Sequence, residues 1–222
     1  MSNPTDYKMV SDIPDEMLQH YLAQEVIAVD TELHGLTLHR DDICLVQLCD
    51  DQANVCLVKP DVGSPPPNLR NLMESSEVLK IFHFALTDVA FFKTSLKINV
   101  QPFCCTKVMS KIIRTYTGGH GLKDLTWELI GVKLEKEQQQ TDWSRSDLTP
   151  EQLKYAANDV INLVQIYRSL KAMMEHRGTL PSGASLEDLN NKSQAVLPPL
   201  IELLINGYGD LDGGWQTSLF SH

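Results

Sequence analysis

Val26-Ile27-Ala28-Val29-Asp30-Thr31-Glu32 is an apolar run that ends in two acids spaced two apart. Such a short apolar run reads as a strand. Side chains two apart in a strand share a face. Asp30 and Glu32 therefore turn their carboxylates the same way at the end of this strand, within reach of one cation. A lone D-x-E also describes a strand end solvated by acids, so the pair needs partners from elsewhere in the chain.

Outward from this strand, residues 43–48 and 55–58 read as two more strands, with Asp50-Asp51-Gln52 as the turn of a hairpin. Pro65-Pro66-Pro67 breaks the chain, and Asn68 is placed to cap a short helix reaching Ser75. Residues 79–82 read as a buried strand and 85–94 as a helix. Residues 105–114 read as a helix with Thr106 as its cap, and 122–130 as another, stopped by Gly131. Thr149-Pro150-Glu151-Gln152 combines a capping threonine, proline at the first helical position and glutamine three after the cap. That helix is expected to reach about Lys171. Ser185 starts a last helix, expected to be interrupted near Pro198-Pro199, before a Gly-rich tail from Gly207. Strands first, then alternation, then helices, specify an α/β fold with a mixed sheet.

No run approaches the ~18 apolar residues of a membrane span. The polar N-terminus lacks the basic-then-apolar form of a secretory signal. Five cysteines without a C-x-x-C pair suit a reducing, cytoplasmic setting without disulfides. The net charge of −10 argues against a nucleic-acid binder taken alone. That objection weakens if the acids gather around bound divalent cations, whose charge reverses the local field.

Two further places hold candidate acids. Asp88 lies in the first turn of the helix that follows a buried strand, where the helix dipole also favours an acid. In the same segment His83 is a candidate ligand or base, set against a satisfied core histidine on an apolar stretch. Tyr155 and Asp159, at i and i+4, stack on one helix face at the border of its apolar stripe. Each feature alone has a bland explanation. Together, four carboxylates brought to one place would repel and shift each other's pKa values. Such a cluster makes sense around hard divalent cations, which prefer oxygen. Two such ions are a standard apparatus for phosphodiester hydrolysis. Lys107, Lys111 and Arg114 form one basic stripe that could steer a phosphate backbone, or simply a solvated face. His120 and Lys123 start the next helix, within reach of phosphate.

VIAVDTE, FHFALTD and YAANDV, in this order, resemble the three exonuclease motifs of the DEDD superfamily, and the Y-x-x-x-D spacing its tyrosine branch. HGLKDL and QQQTDWSRSDLTPEQLKYAANDV look like ribonuclease D. The resemblance covers roughly residues 10–170. It implies a ribonuclease H-like sheet flanked by helices, and a 3′-5′ exonuclease that releases nucleoside 5′-monophosphates. It further implies that Asp30, Glu32, Asp88 and Asp159 hold two Mg²⁺ or Mn²⁺ ions while Tyr155 orients the attacking water. Leu33 falls where the family sets a side chain against the terminal base, and Gln140 and Trp143 fall in a segment expected to line the cleft.

The expected plan is an exonuclease domain over 1–175 and a C-terminal helical extension with its tail over 176–222, a candidate homodimer surface. The two helical binding domains that usually follow in ribonuclease D have no room here, and the extension matches no recognised segment. The expected substrate is nucleic acid with a free 3′ end, RNA favoured and DNA the alternative, in RNA processing or decay. A catalytically silent binding or scaffold protein is the competing class. A phosphatase using Asp30 as nucleophile is a third, although D-x-D is the usual form there.

Overall fold

The computed structural model describes residues 7–61, 63–134 and 141–208. Gln140 lies outside them. Six strands form one mixed sheet: β1 (Met9–Val10), β2 (Val26–Leu33), β3 (Ile43–Cys49), β4 (Val55–Val58), β5 (Leu79–Phe82) and β6 (Phe103–Cys105), in spatial order β1-β4-β3-β2-β5-β6. β3 runs antiparallel to β2 and β4, whereas β2, β5 and β6 are parallel to one another. β2, in the middle of the sheet, is covered on both faces. Ile27 and Val29 enter a core built with α1 (Asp15–Leu22), α2 (Pro67–Glu74) and α3 (Ala85–Thr94). Val26 and Ala28 enter a second core with α4 (Thr106–Ile113), α6 (Pro150–Ile161) and α7 (Leu163–Arg177). The alternation that sorts these apolar side chains continues into the acids, with Asp30 on the side of Ala28.

Between α4 and α6 lies the short α5 (Leu122–Leu125), which continues as a π-helical turn over Thr126–Ile130. Gly131 ends it with a φ of 77°, a left-handed stop that glycine takes without strain. The start of α6 is as expected: Thr149 Oγ1 accepts from Gln152 N at 3.2 Å, and Gln152 Oε1 accepts from Thr149 N at 3.0 Å.

Four local expectations need correction. The helix begun at Pro150 stops at Ile161 and restarts as α7, which runs on to Arg177. α8 (Leu186–Ile205) runs through Pro198-Pro199 without interruption. The two prolines remove two backbone donors, but both face solvent, while Leu197 and Ile201 are buried against the α3 side of the core. Lys93 on α3 also pairs with Glu202. Packing therefore holds the helix across the break. Asn68 does not cap α2. Asp12, fifty-six residues upstream of it, accepts from Asn68 N and Leu69 N at 2.9 Å each. Thr106 is the first residue of α4, and its hydroxyl donates instead to Phe82 O at 3.1 Å.

Removing a side chain that caps a helix costs about 0.5–2 kcal/mol. Asp12→Ala should lower stability by this amount in urea denaturation. An unchanged midpoint would show that solvent satisfies the helix terminus equally well.

Candidate active site

The strand order sets β2 beside β5, so the end of β2 meets the first turn of α3. α6 crosses the other face of β2, where Val160 packs with Ala28. Asp30 and Glu32 therefore point towards α6, which presents Tyr155 and Asp159. A carboxylate oxygen of Asp30, of Glu32 and of Asp159 all lie within 4.8 Å of one another. Asp88 arrives from α3, only 7% exposed. Thr31, between the two strand acids and facing the other way, donates to Asp88 Oδ1 at 2.5 Å. One strand segment thus positions three of the four acids.

The electrostatics follow from this crowding. Burial, then the charges of Asp88, Asp159 and Glu32, push the Asp30 carboxyl well above its usual range. Burial, then Asp159 and Asp88, raise Glu32 to about 9. Burial also raises Asp88 and Asp159, opposed by the hydrogen bonds from Thr31 and Tyr155 respectively. The Tyr155 phenol is raised by burial and by Asp159 and Glu32, so it stays protonated and donates. Among the described residues no lysine, arginine or histidine forms an ion pair with any of the four acids. A hard, oxygen-only donor set that repels itself and has no protein counterion fits hard divalent cations.

A cleft of about 300 Å³ is lined by Asp30, Tyr155 and Asp159 together with His83, Lys107 and Lys123. His83 Nδ1 lies 3.0 Å from Thr106 Oγ1, while its Nε2 is buried without a partner. Burial pushes this imidazole down to about 4, so it is neutral at physiological pH. His120 is not among the cleft residues; its Nδ1 meets Ser110 Oγ at 2.9 Å. Leu33 packs half-buried against the α3 side of the core. Trp143 is buried with Leu45, Leu57 and Ala156, its ring 6.1 Å from that of Tyr155. The basic stripe loses Arg114, which is fully buried. Its guanidinium donates to Ser110 Oγ and Gly119 O and pairs with Glu128.

Gln47 escaped the reading of the sequence. It sits directly opposite Asp30 on β3, fully buried, and its Nε2 donates to Glu32 Oε1 at 3.4 Å. A polar residue inside ICLVQL was its only signal.

The profile of the 3′-5′ exonuclease family matches residues 8–175. The chain belongs to that family. The matched 3′-5′ exonuclease domain covers most of the chain. Ribonuclease D of Xanthomonas oryzae pv. oryzae is 27% identical over 154 residues, 69% of this chain and 42% of that protein. Ribonuclease D of Escherichia coli K12 is 26% identical over 216 residues, 95% of this chain and 55% of that one. The chain thus spans about half or less of the length of these relatives. Brucella melitensis NrnC, by contrast, matches end to end: 32% identity over 96% of this chain and 97% of that one, with a TM-score of 0.83. The extension beyond residue 175 therefore has a counterpart there. Structures of NrnC with bound Mg²⁺ and bound to pGG are similarly close.

The raised acids tie stability to pH. Glu32 gains its proton more readily in the folded chain, moving from 4.5 to about 9. Its stabilising contribution is full below pH 4.5 and is lost as pH rises through about 9. In EDTA the melting temperature should fall across this window, and Glu32→Gln should flatten the fall. Mg²⁺ should raise the melting temperature more as the pH increases. A melting temperature indifferent to Mg²⁺ at the alkaline end would contradict mutual repulsion among the acids.

Proposed function

We propose that this protein is a divalent-metal-dependent 3′-5′ exoribonuclease that removes terminal nucleotides from short RNA. The observation that carries this reading is the unpaired cluster of Asp30, Glu32, Asp88 and Asp159 beside a protonated Tyr155. Asp30, Glu32, Asp88 and Asp159 are the residues that would hold Mg²⁺ or Mn²⁺. When bound there, such ions supply water activation and offset charge on the phosphoryl oxygens. Tyr155, protonated across the physiological range, orients water through its hydroxyl and does not serve as a full base. Asp159 accepts from that hydroxyl and fixes its direction. Lys107 and Lys123, which line the cleft, offset the charge of the incoming phosphates. Gln47 limits the rotation of Glu32.

The preference for short RNA rests on the end-to-end likeness to NrnC, a protein known bound to pGG. A 5′-phosphorylated dinucleotide is accordingly the smallest substrate we expect. Residues 1–175 are the proposed catalytic unit, with 176–222 an extension docked on it through α8. Leu189 and Val196, exposed on α8, are the side chains through which we expect self-association. Five free cysteines suit action in the cytoplasm.

A gel assay with 5′-labelled RNA and matched DNA, in Mn²⁺, Mg²⁺ or EDTA, tests the reading. Shortening from the 3′ end is expected in either metal, with none in EDTA. Asp30→Asn should reduce turnover by at least about 100-fold, because the acids act as a unit. Tyr155→Phe should reduce it less and leave metal binding intact. Full-length substrate in every metal and on both polymers would favour a silent binding protein instead.

A further inference from the structure

Phe84 is an expensive residue for its position. It joins β5 to α3 at φ 75° and ψ 52°, in the left-handed region. Any side chain with a Cβ is strained there, and the bulky aromatic ones most of all. Glycine would make the same tight connection without strain. Burial does not compensate, since the ring is 42% exposed while its neighbours Phe82 and Ala85 are fully buried. The fold of the free protein therefore gives no reason for phenylalanine at this point.

The surroundings supply one. The preceding residue, His83, lines the carboxylate cleft, and so does Lys107. The Lys107 ammonium lies 4.4 Å from the centroid of the Phe84 ring. An exposed aromatic surface and a cation are thus fixed side by side at the rim of the cleft that holds Asp30, Tyr155 and Asp159. Single-stranded nucleic acids are gripped by this combination, in which a base stacks on the ring and a phosphate meets the cation. Stacking tolerates any base, because every base has a π face.

We propose that Phe84 is a stacking platform for a nucleobase at the 3′ end of the bound strand, and that Lys107 steadies the ring and contacts a phosphate. This rests on the reading of the site as one that acts on nucleic acid. The platform would hold the strand end over the carboxylates regardless of sequence. It also accounts for the strain, which is retained because binding uses the ring.

The test compares wild type, Phe84→Gly and Phe84→Trp in Mg²⁺, on RNAs whose 3′-terminal linkages are non-hydrolysable, so that binding is measured without turnover. The ligands are a short fluorescein-labelled RNA and the same RNA with abasic sugars at its last two positions. Phe84→Gly should weaken binding of the intact RNA by about 5- to 150-fold, the range set by loss of one stacked base. Its melting temperature should be unchanged or higher, since the strain is relieved. The abasic RNA should bind both proteins alike, and Phe84→Trp should keep the wild-type affinity. Equal affinity of wild type and Phe84→Gly for intact RNA would overturn the platform while leaving the exonuclease reading standing. A lowered melting temperature in Phe84→Gly would make the ring structural and also overturn it. Failure of the wild type to bind either RNA would overturn both.

Discussion

Four carboxylates converge at the end of one strand, none of them ion-paired with a cation among the described residues, and this repulsion is the constraint on which the rest of the structure turns. The other buried charges among the described residues stand apart from this cluster and are met by ion pairs or hydrogen bonds. Asp50 is met by His20, Asn54 and the backbone of Gln52. Arg114 is met by Glu128, and Lys80 donates to the carbonyls of Ser75 and Gln101. Asp30, Glu32, Asp88 and Asp159 receive hydrogen bonds but no ion pair. A buried cluster of like charges left in this state destabilises the free protein, and a cation supplied from solution would offset it. The sheet order, with β2 between β3 and β5, is the arrangement that brings α3 and α6 to the same strand end.

The net charge of −10 looks different once the site is built. Part of the acidic surplus lies in the cluster, where bound cations would reverse its sign for an approaching phosphate. Lys107 and Lys123 remain at the rim, while Arg114, which shares their stretch of sequence, is withdrawn into the core. Attraction for phosphate therefore depends on metal and a few placed lysines more than on a broad basic surface. The chain covers about half of ribonuclease D but nearly all of NrnC.

Signals that are local in sequence could be read directly. The parity of Asp30 and Glu32 follows from strand alternation, and the start of α6 from the Thr149-Pro150-Gln152 pattern. The i, i+4 pairing of Tyr155 and Asp159 needed only helix geometry. What could not be read depends on partners far along the chain. Asp12 caps a helix across more than fifty residues, α8 survives two prolines because of what it packs on, and Arg114 is buried by a glutamate on the next helix. Gln47 gains its meaning only from the register that sets it opposite Asp30. Trp143, which the sequence left between core and cleft, is decided by the leucines of β3 and β4 around it. The cost of Phe84 is likewise invisible without its backbone angles.

The central claim is that the four acids are a cation site. Crystals grown without metal and soaked in Mn²⁺ test it directly by anomalous scattering, which reports position independently of activity. The account predicts strong anomalous density bounded by Asp30, Glu32, Asp88 and Asp159, absent from crystals of Asp30→Asn. Saturating Mn²⁺ that leaves this position empty, or that binds only elsewhere on the surface, would contradict it.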